Sequence, residues 1–286
     1  MSTAVHAAPP DARLALAHSF LFVPGDRPDR YLKACTAGAD VVIIDLEDAV
    51  APQAKGAARD ALNNWLDSAE GRSPHIPVLV RVNCVHSGCF GDDLLLCHRP
   101  GIAGIVLPKT ERVADVASAS PTAPLFPLIE TALGFSQLSQ IAAAPRVQRL
   151  LFGAIDFKLD MGIHGDREEL LYFRSQIVFA SKMVGLQTPV DGITTSIDDE
   201  AQVESDARYA HRLGFGGKLC IHPNQLAATN RAFLPSNEEI TWAQRVLSSA
   251  AEAQGAAFSV DGKMIDRPVI LIAQRIVDEA KRKNIL

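Results

Sequence analysis

The chain has 286 residues, with 28 Lys and Arg against 33 Asp and Glu for a formal charge of −5, and is 48% hydrophobic and 21% charged. This is the composition of a folded globular protein rather than a disordered or fibrous one. A slight acidic excess without clustered Lys and Arg argues against a nucleic-acid partner, and no apolar run approaches the roughly 18–20 residues of a membrane-spanning helix.

The N-terminal MSTAVHAAPPDAR lacks a basic start followed by an apolar core, so no secretory signal is read and the cytoplasm is the expected location. Residues 1–18 are rich in Ala and Pro without a strand pattern and are expected to form a flexible extension. From there, short apolar runs alternate with helical stretches, the pattern of βα units and a parallel sheet. The runs are Phe20–Pro24, Val41–Asp45, Val78–Val82, Gly104–Pro108, Leu125–Glu130, Arg149–Gly153, Thr188–Asp191 and Lys218–His222. Eight is the number that closes a (β/α)8 TIM barrel, and about 250 residues is its usual size. Several runs are continuous in Val, Ile and Leu, as strands buried on both faces should be.

Between them, Arg30–Ala37, Lys55–Ser68, Gln137–Ala143, Glu168–Val184 and Ser196–Leu213 carry apolar residues at helical spacing. Gly38, Gly71, Gly185 and Gly214 stand where helices should stop. More than 60 residues follow the eighth run. Asn237–Gln254 reads as a helix, Ala257–Met264 as a hairpin turning at Asp261-Gly262, and Pro268–Lys283 as a last helix begun by Pro. The expected architecture is thus an α/β barrel over 19–235 with a C-terminal helix–hairpin–helix cap over 236–286 in the same domain.

Five cysteines without a signal peptide point to reduced thiols. Cys84, His86, Cys89, Cys97 and His98 lie close in sequence, but gaps of four and seven residues between the cysteines suit loop thiols better than a zinc site. No dinucleotide fingerprint, P-loop or nucleophile elbow is present.

Barrel enzymes build their sites where strands end. The residues at those ends are Asp26-Arg27, Asp45-Leu46-Glu47-Asp48, Arg81-Val82-Asn83, Lys109, Glu130, Asp156, Asp191 and His222. Glu130 and Asp156 close neighbouring strands with no Cys or His beside them, a pair suited to a hard divalent ion such as Mg²⁺. The alternative is a helix cap and an ion pair. Arg81 could grip a substrate carboxylate through two parallel hydrogen bonds, or pair internally with Asp45 or Glu47. His222-Pro223-Asn224 reads as a turn with a satisfied imidazole in preference to a catalytic histidine.

These motifs resemble the HpcH/HpaI aldolase superfamily in its citrate lyase beta-subunit-like branch. The matching pieces are Phe20-Leu21-Phe22-Val23-Pro24-Gly25, Asp45-Leu46-Glu47-Asp48-Ala49-Val50, Val80-Arg81-Val82-Asn83, Leu107-Pro108-Lys109-Thr110-Glu111 and Ile129-Glu130-Thr131. Gly153 to Gly162, Cys220-Ile221-His222-Pro223 and Gly262-Lys263-Met264-Ile265-Asp266 complete the set.

The resemblance implies a Mg²⁺-dependent carbon–carbon lyase that cleaves or forms a 3-hydroxyacyl-CoA of the malyl, citramalyl or citryl type, with an oxo acid and acetyl-CoA or a homologue as the other partners. It places Glu130 and Asp156 on the metal, Arg81 on the substrate carboxylate, and Glu47 and Asp48 beside the metal and substrate. Asp266 falls where relatives donate a catalytic acid/base to a neighbouring subunit, so a homotrimer or hexamer is implied. Many relatives carry Glu before the metal-binding Asp, where this chain has Ile155. The readings that remain beside the lyase are a CoA-independent oxo-acid aldolase and a partner-dependent, citrate lyase beta-like subunit without catalysis of its own.

Overall fold

The computed structural model describes residues 12–119, 123–252, 258–283 and 285–286. They divide into two compact units, Met1–Asn230 and Arg231–Leu286.

In the first unit eight parallel strands close into a barrel in sequence order: β1 (Ser19–Pro24), β2 (Val41–Asp45), β3 (Val78–Arg81), β4 (Gly104–Leu107), β5 (Leu125–Ile129), β6 (Leu151–Phe152), β7 (Val190–Asp191) and β8 (Gly217–Cys220). The seam is β1 against β8, with Phe20 opposite Leu219. Side chains alternate across each strand. Phe20, Val41, Ile43, Leu79, Val106, Phe126, Leu128, Leu151, Val190 and Leu219 fill the interior, while Val42 and Ile44 are equally buried on the outer face. Burial on both faces explains why these strands read as unbroken apolar runs.

The predicted extension is corrected at its inner end. Residues 1–11 lie outside the described part, but Ala12–Ala15 is helical and Leu14 and Ala17 belong to the barrel core. Their anchor is Arg149, wholly buried, whose Nε donates to the Thr188 carbonyl (2.7 Å) and Nη1 to those of Leu14 (3.1 Å) and Ala17 (2.8 Å). Its guanidinium lies 5.1 Å from the centre of the Phe20 ring. Burial pushes its pKa down to about 9, against a weaker opposite pull from Asp40.

The helices occupy the expected intervals with trimmed ends, including Lys55–Leu66, Glu168–Met183 and Glu200–Leu213. The last starts four residues later than its apolar spacing suggests, because Asp199 caps it by accepting from the Gln202 amide at 2.9 Å.

The second unit contains helix Asn237–Glu252, hairpin strands β9 (Phe258–Val260) and β10 (Lys263–Ile265), and helix Arg267–Arg282. Residues 253–257 of the predicted helix end and hairpin start lie outside the described part. Asp261 and Gly262 turn the hairpin with φ of 53° and 74°, the left-handed pair that matches strand twist in a two-residue turn. Ala243, Val246, Val260, Ile265, Ala273 and Val277 form this unit's core. Among the described residues, no helix is long and apolar enough to cross a membrane.

Candidate active site at the barrel mouth

A cavity of about 410 Å³ opens at the carboxyl ends of the strands, lined by Asp45, Asp48, Arg81, Glu130, Gly153 and Asp156 with an apolar wall that includes Phe22, Ile155, Ile193 and Ile221. Five of the six predicted site residues belong to this mouth: four line the cavity or reach into it, and Glu47 is bonded to its lining. The sixth, Asp266, is in the second unit. There it begins the helix Arg267–Arg282, its Oδ1 accepting from the Val269 amide at 3.3 Å.

The loop after β2 shows why Asp-Leu-Glu-Asp-Ala takes its shape. Asp45, 1% exposed, accepts from the amides of Glu47 (2.9 Å, Oδ1) and Ala49 (3.0 Å, Oδ2), which curls the loop and brings Glu47 and Asp48 toward the mouth. The same carboxylate receives Arg81 in a two-bond fork, Nε to Oδ1 at 2.7 Å and Nη2 to Oδ2 at 2.6 Å. Of the two sequence readings of Arg81, internal pairing is therefore realised on its inner edge. Nη1 lies 3.3 Å from Glu47 and 3.5 Å from Asp48, and the guanidinium stands 4.8 Å from the Phe22 ring centre. Burial disfavours the Arg81 charge, but Asp45, Glu47 and Asp48 more than offset it and hold its pKa above the ordinary value.

Glu47 is nearly buried and accepts Lys109 Nζ on Oε1 at 2.5 Å. Burial raises its pKa, with Arg81 and Lys109 pulling it back down. Asp48 is half exposed.

Glu130 directly follows β5 and is 1% exposed. Its Oε1 accepts the Lys109 backbone amide at 2.6 Å, and its buried Oε2 has no hydrogen-bond partner. Burial, reinforced by the neighbouring charge of Glu47, pushes this carboxyl up to about 8. The charge of Lys109 pulls only weakly the other way, and a buried carboxylate with an unpartnered oxygen is costly as an anion unless a cation sits against it. Asp156 lies in the first turn of helix Ala154–Met161, where the helix N-terminus favours an anion. Gly153, not Asp156, is the N-cap of that helix, so the cap alternative does not apply to the Asp156 side chain.

Two carboxylates at the mouth, one with an orphaned oxygen, fit a hard cation that takes its other ligands from water or substrate. Among the described residues, no three His, Cys, Asp or Glu side chains converge into a closed metal cage. Cys97 is buried and donates weakly to the Asp93 carbonyl. His222 proves to be a turn residue, its Nδ1 accepting from the Asn224 amide at 3.2 Å.

Sequence reasoning offered Asp45 or Glu47 as an internal partner of Arg81 without choosing between them or a substrate carboxylate, and it gave no role to Lys109. Their signal was present in the motifs, but the pairings join residues 36 and 21 positions apart.

The HpcH/HpaI aldolase/citrate lyase family profile matches residues 18–223. A citrate lyase subunit beta-like protein of Deinococcus radiodurans is 36% identical over 279 residues, covering 92% of this chain and 97% of that one. A (3S)-malyl-CoA thioesterase of Cereibacter sphaeroides is 34% identical over 273 residues, covering 92% and 94%. Protein CitE from Mycobacterium tuberculosis, solved in complex with magnesium, acetoacetate and coenzyme A, superposes with a TM-score of 0.83 at 34% identity over 93% of this chain and 99% of that one. The chain therefore belongs to the HpcH/HpaI aldolase/citrate lyase family, as a citrate lyase beta-subunit-like lyase.

Proposed function

We propose that the protein is a Mg²⁺-dependent carbon–carbon lyase that cleaves, or in reverse forms, a 3-hydroxyacyl-CoA thioester of the malyl, citramalyl or citryl type. The observation that carries this reading is the orphaned, buried Oε2 of Glu130 facing a cavity that also holds Asp156 and Arg81. Glu130 and Asp156 would hold the ion, and solved CitE complexes contain magnesium with small oxo acids such as oxaloacetate. Bound there, Mg²⁺ supplies Lewis acidity that polarises an oxo-acid carbonyl and offsets developing alkoxide charge.

The protein's own groups do the rest. Arg81, held on its inner edge by Asp45, turns its remaining N–H groups to the oxo-acid carboxylate and fixes its orientation. Glu47 and Asp48, the two acids closest to Nη1, keep that guanidinium in register. The apolar wall excludes water from the reacting carbons. Asp266 moves the proton at the thioester's α-carbon. As in the family pattern it serves a neighbouring subunit, so the active form is a homotrimer or hexamer.

A second cavity of about 480 Å³ supports the CoA part of the reading. It shares Phe22, Pro24 and Ile221 with the first and is lined by Arg27, Arg30 and Lys33, cations suited to the phosphates of a nucleotide-bearing thioester.

The test is mass-spectrometric product analysis with malyl-, methylmalyl-, citramalyl- and citryl-CoA, each with Mg²⁺ and with EDTA. Mg²⁺-dependent release of an oxo acid and a shorter acyl-CoA is expected. No turnover of any thioester, with oxo acid still bound, refutes the lyase reading.

A further inference from the structure

Resting on the reading of Glu130 as a metal ligand, we propose that Lys109 is a positioning residue for that ligand and acts through its backbone amide rather than its ammonium group. Lys109 has φ of 47°. A side-chain-bearing residue in the left-handed region is strained, and the surroundings must sustain that strain. Among the described residues only Arg146 and Asp261 share this feature without being glycine, and Asp261 is explained by its hairpin turn.

At Lys109 the unusual backbone has an identifiable product. The chain leaves β4 and turns sharply, with Thr110 Oγ1 donating to the Leu107 carbonyl at 2.7 Å and the Thr110 amide reaching the Leu128 carbonyl at 3.3 Å. Between these ties the Lys109 amide is aimed at Glu130 Oε1, 2.6 Å away. One carboxylate oxygen is thereby committed, and the other is left unpartnered.

Gly153 limits the carboxylate from the other side. A Cβ placed there would stand 2.5 Å from Glu130 Oε2 and 2.6 Å from Glu130 Cβ, so only glycine leaves the acid its place. The Lys109 side chain has a separate task, since its Nζ is on Glu47 Oε1. Backbone and ammonium are therefore separable by substitution.

The experiment is Mn²⁺ binding to the full-length protein without substrate, followed by electron paramagnetic resonance, with circular dichroism as a fold control. Lys109→Gly and Lys109→Asn both remove the ammonium but accept a left-handed backbone, and are expected to bind within about threefold of the parent. Lys109→Val resists that backbone, and Gly153→Ala displaces the carboxylate. Each is expected to weaken Mn²⁺ binding about tenfold or more, the scale seen when groups orienting a ligand are lost. Parent-like binding by Lys109→Val overturns the inference, whatever Gly153→Ala does. Equal loss in the Gly and Val variants also overturns it, because the ammonium would then be what matters. A parent protein that binds no Mn²⁺ overturns the metal reading itself and the inference with it.

Discussion

Replacing Asp45 by Asn tests whether the fork to Arg81 is the brace of the barrel mouth. Asp45 is 1% exposed and Arg81 11%, so the two charges are largely removed from water. Removing one partner of such a pair costs about 3–5 kcal/mol, because the other charge stays buried without compensation. Here Arg81 keeps Glu47 at 3.3 Å and Asp48 at 3.5 Å, which places Asp45→Asn near the lower end, about 3 kcal/mol. The amide also offers one acceptor where the carboxylate served the Glu47 and Ala49 amides as well as Arg81. At about 2–4 °C per kcal/mol for a chain of this size, the melting temperature should fall by roughly 6–12 °C. Arg81→Met should cost a similar amount. The double variant leaves neither charge stranded and should be no less stable than the worse single one, for a coupling of about 3 kcal/mol by chemical denaturation. Strictly additive losses in this cycle, near 6 kcal/mol, would refute the reasoning.

Three further outcomes follow from particular contacts. Glu130 is raised by burial to about 8 from an ordinary 4.5, so the metal-free folded protein retains a proton that the unfolded chain releases between those values. Stability should therefore fall as pH rises from about 4.5 to 8, by at most about 1.4 kcal/mol per pH unit from this group. Glu130→Gln should flatten that slope in thermal melts, and an unchanged slope would count against the assignment. Arg149→Ala strands the carbonyls of Leu14, Ala17 and Thr188 and should destabilise by about 3 kcal/mol or more. Arg149→Met fills the space without a buried charge and should cost less, and equal melting temperatures for the two would contradict this. Thiol titration should label Cys84 and Cys89 in the native protein, whereas Cys35, Cys97 and Cys220 are buried and react only after unfolding. Burial pushes the Cys220 thiol up to about 11, which reinforces its inertness.

The barrel was legible because it is written locally. Val41-Val42-Ile43-Ile44 must be a strand covered on both sides, and the acid after it must then be at the mouth. The same logic brought Arg81, Glu130 and Asp156 to one cavity. Juxtapositions across strands were less legible. Whether Arg81 meets a ligand or Asp45 is settled by register, which pairs Asp45 with Arg81 directly, and no local pattern encodes it. β6 is only Leu151–Phe152, and Arg149, taken as its first residue, is instead a buried cation bonded to the carbonyls of Leu14, Ala17 and Thr188. Leu14 and Ala17 were hidden by their alanine-rich surroundings, although they fill part of the core. Lys109 drew notice as a charge, whereas its backbone makes the contact to Glu130.

The β1–β8 seam has a consequence for synthesis. Phe20 finds Leu219 only after 199 intervening steps of chain, the difference between the two paired positions. At about 5–20 residues per second, the first strand waits on the order of 10–40 s on the ribosome before its last neighbour exists. During that time both edges of the growing sheet are unpaired, the condition under which strands join the wrong chain. The register that joins Ser19 to Lys218 is therefore the last ring contact available, and nascent chains stopped short of Gly217 should be those that aggregate or recruit chaperones.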